Sequence, residues 1–291
     1  MADIRFNVTP MQRILMLVFT YVVGLVVASI LGYVLLRIGG DDRAVAMIRI
    51  ATVCQDIFML VLPAVATAVL TCNDAASLLA VNKRPQRPMI VMAIITMVVS
   101  APAMSYIIDL NASMTLPDSL AGLERSLREF ETEAAASVEL ALGAHTIPNL
   151  VMSLLIVSIL AGFSEELFFR GALQRLLQSL HISPAAAVWI AAAIFSAIHM
   201  QFFGFVPRML LGAFFGYLLL WSGSVWVPII AHAFNNAMFI ILRYFTGEGD
   251  VHVGGEGAGV EVAAAISAVL TAVCLYMMWR ARVTVKSQAQ L

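Results

Sequence analysis

Two adjacent carboxylates, Glu165 and Glu166, stand just ahead of Arg170 in the segment SEELFFR. Farther along come a histidine in FSAIH (Phe195, His199) and a histidine–asparagine pair in HAFNN (His232, Asn236). On a helix Glu166 and Arg170 share a face, with the acid N-terminal to the base, the order that favours an ion pair. Glu165 projects about 100° away from Glu166, so the two acids divide their work: Glu166 is tied to Arg170, and Glu165 looks into the protein. His232 and Asn236 also share a face, while Asn235 points elsewhere.

If these groups converge, they supply what peptide hydrolysis needs. A buried Glu can take a proton from water while a His positions that water. A second His and an Asn can donate hydrogen bonds to the oxyanion that forms on the scissile carbonyl. There is no GxSxG elbow, and Ser164 and Ser196 have no adjacent base in sequence, so water is the default nucleophile. Glu165, His199 and His232 are also a two-His, one-carboxylate set for zinc with an open position. Against that, HExxH is absent, and three separate helices would have to supply the ligands. Each cluster has a plainer reading: headgroup-solvated charges at a helix end for Glu165 to Arg170, a structural hydrogen bond for His199, and helix–helix bonding for His232 and Asn236.

The elements that must position these residues are membrane helices. Of the 291 residues 61% are hydrophobic and only 12% charged, against roughly 25% charged in a soluble domain. Apolar runs long enough to span a bilayer recur along the chain. An ionised side chain at mid-bilayer costs on the order of 3 kcal/mol on insertion scales, so polar residues inside such runs need partners or a function. The net charge of −1, without basic clusters, argues against nucleic acid as a partner. Cys54, Cys72 and Cys274 are odd in number and form no CxxC pair, which argues against a disulfide framework or a metal knuckle. The N-terminus, MADIRFNVTPMQR, leads into an apolar run without a small-residue cleavage site and is read as a retained first span.

The expected fold is all-α: a polytopic membrane bundle of about eight transmembrane helices with one amphipathic surface helix. The spans fall at about 14–38, 45–70, 89–110, 147–169, 184–199, 205–221, 225–245 and 262–279. The second carries Arg49 and Asp56, which should face other helices rather than lipid; if it is re-entrant, six or seven spans follow instead. The fourth ends in SEELFFR, the fifth is short and Ala-rich, and the sixth holds Gly212 and Gly216, small residues that let two helices approach closely. Between the third and fourth, Leu116, Leu120, Leu123, Leu127 and Phe130 recur at helical spacing among acids, the pattern of a helix lying on the membrane surface. The chain thus divides into residues 1–146 (three spans plus the amphipathic segment), a catalytic core at 147–245, and a Gly-rich linker with the last span at 246–291. Eight spans put Arg5, Arg13, Lys83, Arg84, Arg87, Arg175, Arg280, Arg282 and Lys286 on one side, which should be the cytoplasm, with both termini inside.

At these residues the sequence resembles the CAAX protease and bacteriocin-processing (CPBP, or ABI) family of intramembrane endopeptidases. That family's signature is EExxxR, then FxxxH, then HxxxN or HxxxD on successive membrane helices. Here it reads, in order, Glu165-Glu166-Arg170, Phe195-His199 and His232-Asn236. The resemblance implies that Glu165 and His199 activate water and that His232 and Asn236 form the oxyanion site. Glu166, Arg170 and Phe195 would be structural or substrate-positioning. It implies a CAAX-protease-like hydrolase of the lipid bilayer, expected in a bacterial inner membrane, acting on a membrane-associated peptide or protein. The preferred chemistry is glutamate-dependent with no cofactor; the alternative is a zinc metalloprotease with Glu165, His199 and His232 as ligands. Nothing in the sequence marks a prenyl pocket, so the prenylated substrate of eukaryotic relatives is not carried over. A competing function is a non-catalytic immunity or scaffold protein that binds a partner peptide in the same cavity. A transporter ranks below both, because inverted repeats and paired broken helices are absent.

Overall fold

The computed structural model describes residues 8–40, 43–247 and 258–288; Arg5 and most of the Gly-rich linker lie outside them. The described residues form helices and their connections, with no strand. We number nine principal helices: α1 (Pro10–Gly39), α2 (Ala44–Thr71), α3 (Arg87–Ala112), α4 (Ala121–Leu142), α5 (Ile147–Gln178), α6 (Pro184–Ile198), α7 (Phe205–Ser222), α8 (Trp226–Thr246) and α9 (Ala258–Gln288). Their ends follow local chemistry. Thr9 and Gln12 form a capping box ahead of α1, with Pro10 as the first helical residue. Ser183 caps α6 by accepting from the Ala186 amide, again before a proline. Gly223 and Gly247 close α7 and α8 at φ +69° and +74°, the left-handed conformation that glycine adopts without steric cost.

Among the described residues seven helices are long and apolar enough to cross a membrane: all of the set except α4 and α6. The expected fifth span is the short one. With 15 residues α6 reaches about 22 Å at 1.5 Å per residue, less than a hydrocarbon core of about 30 Å. Beyond it the chain reaches α4, where the Phe203 amide donates to Glu131. The fourth span also differs from expectation. Instead of ending near residue 169, α5 continues to Gln178 as one 32-residue helix. Two π-helical stretches, Leu154–Leu160 and Leu167–Gln174, interrupt it, and Glu165 and Glu166 sit between them. The acids therefore lie in a helix interior, not at a frayed end among headgroups.

Hydrogen bonds sort the connections into two ends. At one end the Val225 amide donates to the Ala80 carbonyl (3.3 Å), the Ser224 hydroxyl to the Lys83 carbonyl (2.7 Å), and Arg175 to the Ser77 carbonyl (3.1 Å). At the other end α4 is the tie. Glu131 accepts from the Phe203 amide (2.6 Å), Glu139 pairs with Arg243 of α8, and Arg49 of α2 donates to the Ala141 and Leu142 carbonyls (2.7 and 2.9 Å). Arg49 and Asp56 thus face protein, as a span that avoids exposing charge to lipid requires; Asp56 is 6% exposed. The amphipathic helix begins at Ala121, so Leu116 and Leu120 precede it, while Leu123 and Phe130 turn outward. One apolar core joins α1, α2, α5 and α6 around Leu17, Phe168, Phe169 and Phe195. A second joins α3, α7, α8 and α9 around Met89, Phe215, Leu218 and Met278. Polar residues of α5, α6 and α8 lie between these two cores.

Candidate active site

The site is built around α5. Glu166 and Arg170 are both fully buried, and Glu166 Oε1 accepts a hydrogen bond from Arg170 Nη1 at 2.8 Å. The same oxygen accepts from His232 Nδ1, also at 2.8 Å, so one carboxylate holds a guanidinium of α5 and an imidazole of α8. That second bond is not readable from spacing alone, and it fixes the histidine's tautomer. A carboxylate can only accept, so His232 must carry a proton on Nδ1 and turn Nε2 the other way. On that side stands Glu165, whose Oε2 is 3.8 Å from His232 Nε2, too far for a direct hydrogen bond and close enough for one water to bridge. The expected division of the two acids is the geometry found.

Glycines and aromatic rings fix the arrangement. Arg170 Nη2 donates to the Gly212 carbonyl at 2.8 Å, and Gln174 Nε2 donates to the Gly216 carbonyl at 3.1 Å. A Cβ on Gly212 would lie 3.1 Å from both Arg170 Nη2 and the Phe195 ring; one on Gly216 would lie 2.8 Å from Gln174 Oε1 and from Val188. The GAFFG stretch therefore does more than bring helices close: it lets polar side chains of α5 reach the α7 backbone. Phe195 is the hub. Arg170 lies over its face at 4.7 Å, and the His199 and His232 rings stand edge-on to it at 4.9 and 6.1 Å. Phe215 stacks on His232 at 4.8 Å. Cation–π contacts of this kind are worth most where water is excluded.

His199 caps the C-terminus of α6, and its Nδ1 is 2.7 Å from the Phe195 carbonyl. A carbonyl only accepts, so Nδ1 carries the proton and Nε2 is left as an acceptor. Asn236 Nδ2 donates to the Val157 carbonyl at 3.1 Å, in the first π-helical stretch of α5, which leaves its second N–H uncommitted. Glu165, His199, His232 and Asn236 all line one cavity of about 580 Å³. Asn235, expected from helical spacing to point elsewhere, lines it too and donates to Asn236 Oδ1 at 3.4 Å. So does Arg208 of α7, which motif spacing does not single out. Its one signal is an arginine in the otherwise apolar run FVPRMLLGAFFG.

Two alternatives can be set against this geometry. Ser164 and Ser196 are fully buried and donate to the Ala161 and Phe205 carbonyls, so neither hydroxyl is presented as a nucleophile. Zinc needs its ligand atoms at about 2.0–2.3 Å around one point. Among the described residues no group of three or more His, Cys, Asp or Glu side chains is arranged to hold a metal, so Glu165, His199 and His232 do not form such a set as they stand. Cys54, Cys72 and Cys274 are free thiols.

Residues 147–238 match the family described as Rce1-like, type II CAAX prenyl endopeptidase Rce1-like. The matched segment contains every site residue named above. Over 98 residues the chain is 30% identical to a Bacillus subtilis protein, YpbD, described only as uncharacterized. That alignment covers 32% of this chain and 45% of YpbD, so the chain spans about half the length of the curated relative it matches. No solved structure matches the chain.

Proposed function

We propose, from the premise that residues 147–238 match the Rce1-like type II CAAX prenyl endopeptidase family, that this protein hydrolyses a peptide bond of a membrane-associated peptide or protein. The observation that carries the proposal is the convergence of Glu165, His199, His232 and Asn236, from three helices, on one cavity inside an apolar bundle. A water in that cavity donates one hydrogen bond to Glu165 and the other to His199 Nε2. Glu165 takes its proton as the oxygen bonds to the scissile carbonyl carbon. The oxyanion accepts from the free Nδ2 proton of Asn236 and from His232 Nε2. His232 can donate from Nε2 while Nδ1 remains bonded to Glu166 only as an imidazolium, whose charge faces the Glu165 carboxylate before the water proton is taken and the oxyanion after it. As the C–N bond breaks, the proton held by Glu165 passes to the leaving amine. The products are a carboxylic acid, which releases its proton to water on leaving, and an amine, and the site returns to its starting state.

The end of the bundle that carries Arg13, Lys83, Arg84, Arg87, Arg175, Arg280 and Arg282 is the proposed cytoplasmic end, because these positive residues flank the ends of the spans and their short connections there. Profiling of peptide termini in membranes of cells that express the full chain tests the reading. Products present with the wild-type protein should vanish with Glu165→Gln, a loss of at least about 100-fold for a general base, and with His199→Ala and His232→Ala at equal expression. Undiminished products from a folded Glu165→Gln protein would overturn the proposal. A phenotype that survives Glu165→Gln would point instead to a protein that binds its partner in this cavity without cutting it.

A further inference from the structure

Arg208 lines the same cavity as the four proposed catalytic residues, yet no step of the hydrolysis above uses it. It lies in the first turn of α7, half-buried, where the aligned helix dipoles already favour negative charge. Its Nη2 bonds to the neutral Gln201 Oε1, while Nη1 is buried with no hydrogen-bond partner. Among the described residues the guanidinium makes no ion pair within 4 Å; Glu165 and Glu131 face it only at longer range. Gly204, another wall residue, packs against it: a Cβ there would lie 3.4 Å from Nη2 and 3.6 Å from Nη1.

The surrounding loop is pinned from three sides. Glu131 of α4 accepts from the Phe203 amide at 2.6 Å, Arg128 lies over the Phe203 ring at 3.8 Å, and the Val206 amide donates to Asn111 Oδ1 at 2.9 Å. Arg208 is therefore a cation held in place, with an unused buried donor, on the wall of a cavity that takes a peptide. The anionic group a peptide brings is a carboxylate, and the planar fork of a guanidinium matches a carboxylate with two parallel hydrogen bonds.

We propose that Arg208 is a specificity-determining residue of this site and binds a carboxylate of the peptide substrate, either the C-terminal carboxylate or an Asp or Glu side chain near the scissile bond. This inference rests on the hydrolytic reading of the cavity and names the substrate chemistry that reading leaves open.

The probe is a mixture of synthetic decapeptides, each made as a C-terminal acid and as an amide, with a single Asp or Asn walked along the sequence. Full-length protein in lipid nanodiscs is offered the mixture, and mass spectrometry reads the relative kcat/KM of each member. A carboxylate-bearing peptide should be preferred over its neutral counterpart by about tenfold or more, the discrimination expected of a charge-assisted hydrogen bond. The acid–amide pairs and the Asp–Asn pairs separate the two sources of that carboxylate. In Arg208→Gln the preference should collapse to less than about twofold, and Arg208→Lys, which keeps the charge and loses the fork, should fall between. If Arg208→Gln does not fold, the Arg208→Lys protein alone carries the comparison. A role confined to balancing the charge of Glu165 would slow acid and amide alike and leave their ratio unmoved, which overturns the inference. Wild-type cleavage with no preference overturns it as well, and leaves the hydrolytic reading intact. Absence of any Glu165-dependent product, here and in cell membranes, removes that reading and this inference with it.

Discussion

Among the described residues two acid–arginine pairs have identical spacing and direct contacts of nearly the same length, Glu166 with Arg170 in α5 at 2.8 Å and Glu124 with Arg128 in α4 at 2.9 Å. Their surroundings differ. The first pair is 0–1% exposed, the second 18% and 43%. In water the i,i+4 contact is a marginal local gain. Inside the bundle the same contact is one part of a closed set, because Arg170 also bonds the Gly212 carbonyl and Glu166 also holds His232. Neither buried charge is tolerable without the other. Sequence spacing brings an acid and a base together; the low-dielectric setting decides whether the contact is decoration or a condition of folding.

The contrast between the two pairs is tested hardest by Arg170→Leu, which leaves Glu166 buried without its arginine partner. A destabilisation of about 3–5 kcal/mol is expected, seen as a large drop in the melting temperature of the purified protein. A smaller effect should come from Gly216→Ala, whose Cβ would meet Gln174 and Val188 at 2.8 Å. Overpacking of this kind costs about 1–3 kcal/mol, and thermal melts in detergent would read it. A result near zero would mean that α5 and α7 have room to part, and that Arg170 is cradled more loosely than its contacts indicate.

Arg128→Leu should give the smallest shift of the three, within about 1 kcal/mol, because it removes an exposed ion pair and one contact with the Phe203 ring. The same holds for acid. Glu124 accepts from the Leu116 amide and from Arg128, and these bonds to its ionised form hold its carboxyl below the usual range, the backbone bond contributing most. A lowered folded value means the link is present above the ordinary Glu range and is lost as pH falls through the lowered value. The Leu116 amide should therefore lose its protection, measured against its intrinsic exchange rate at the same pH, only below the ordinary Glu range, while protection across α5 is unchanged. Simultaneous loss of both would show that the surface helix and the core unfold as one unit, and the two pairs would then differ in exposure alone.

Much of the site is legible without coordinates. Spacing pairs Glu166 with Arg170 and separates Glu165 from both, and the structure keeps that division. Mid-span polarity marks His232 and Asn236, and both line the cavity. The departures have physical causes. Charges usually mark the membrane edge, so the fourth span is expected to end at them; here they partner one another, and the helix continues to Gln178. The π-helical stretches on either side of Glu165 and Glu166 have no marker in the sequence; in the first, Asn236 of α8 takes the Val157 carbonyl, a partner that comes from a distant part of the chain. Asn235 departs from expectation because a helical wheel predicts a direction but not the width of the cavity on that side. Arg208 escapes notice because a lone arginine in an apolar run carries no spacing signal.

Apolar run length, residue type and i,i+4 spacing are properties of neighbouring residues. They suffice to specify a helical membrane bundle, the surface helix and most of the polar side chains that line the cavity. Which side chains meet is a property of helices brought together from distant parts of the chain. That Glu166 bridges Arg170 to His232, that Phe195 stands among their rings, and that Arg208 joins Glu165 on one cavity wall are therefore facts of the folded bundle alone. Those contacts form when backbones approach closely enough at Gly212 and Gly216, and the packing that allows it is not encoded in any local stretch.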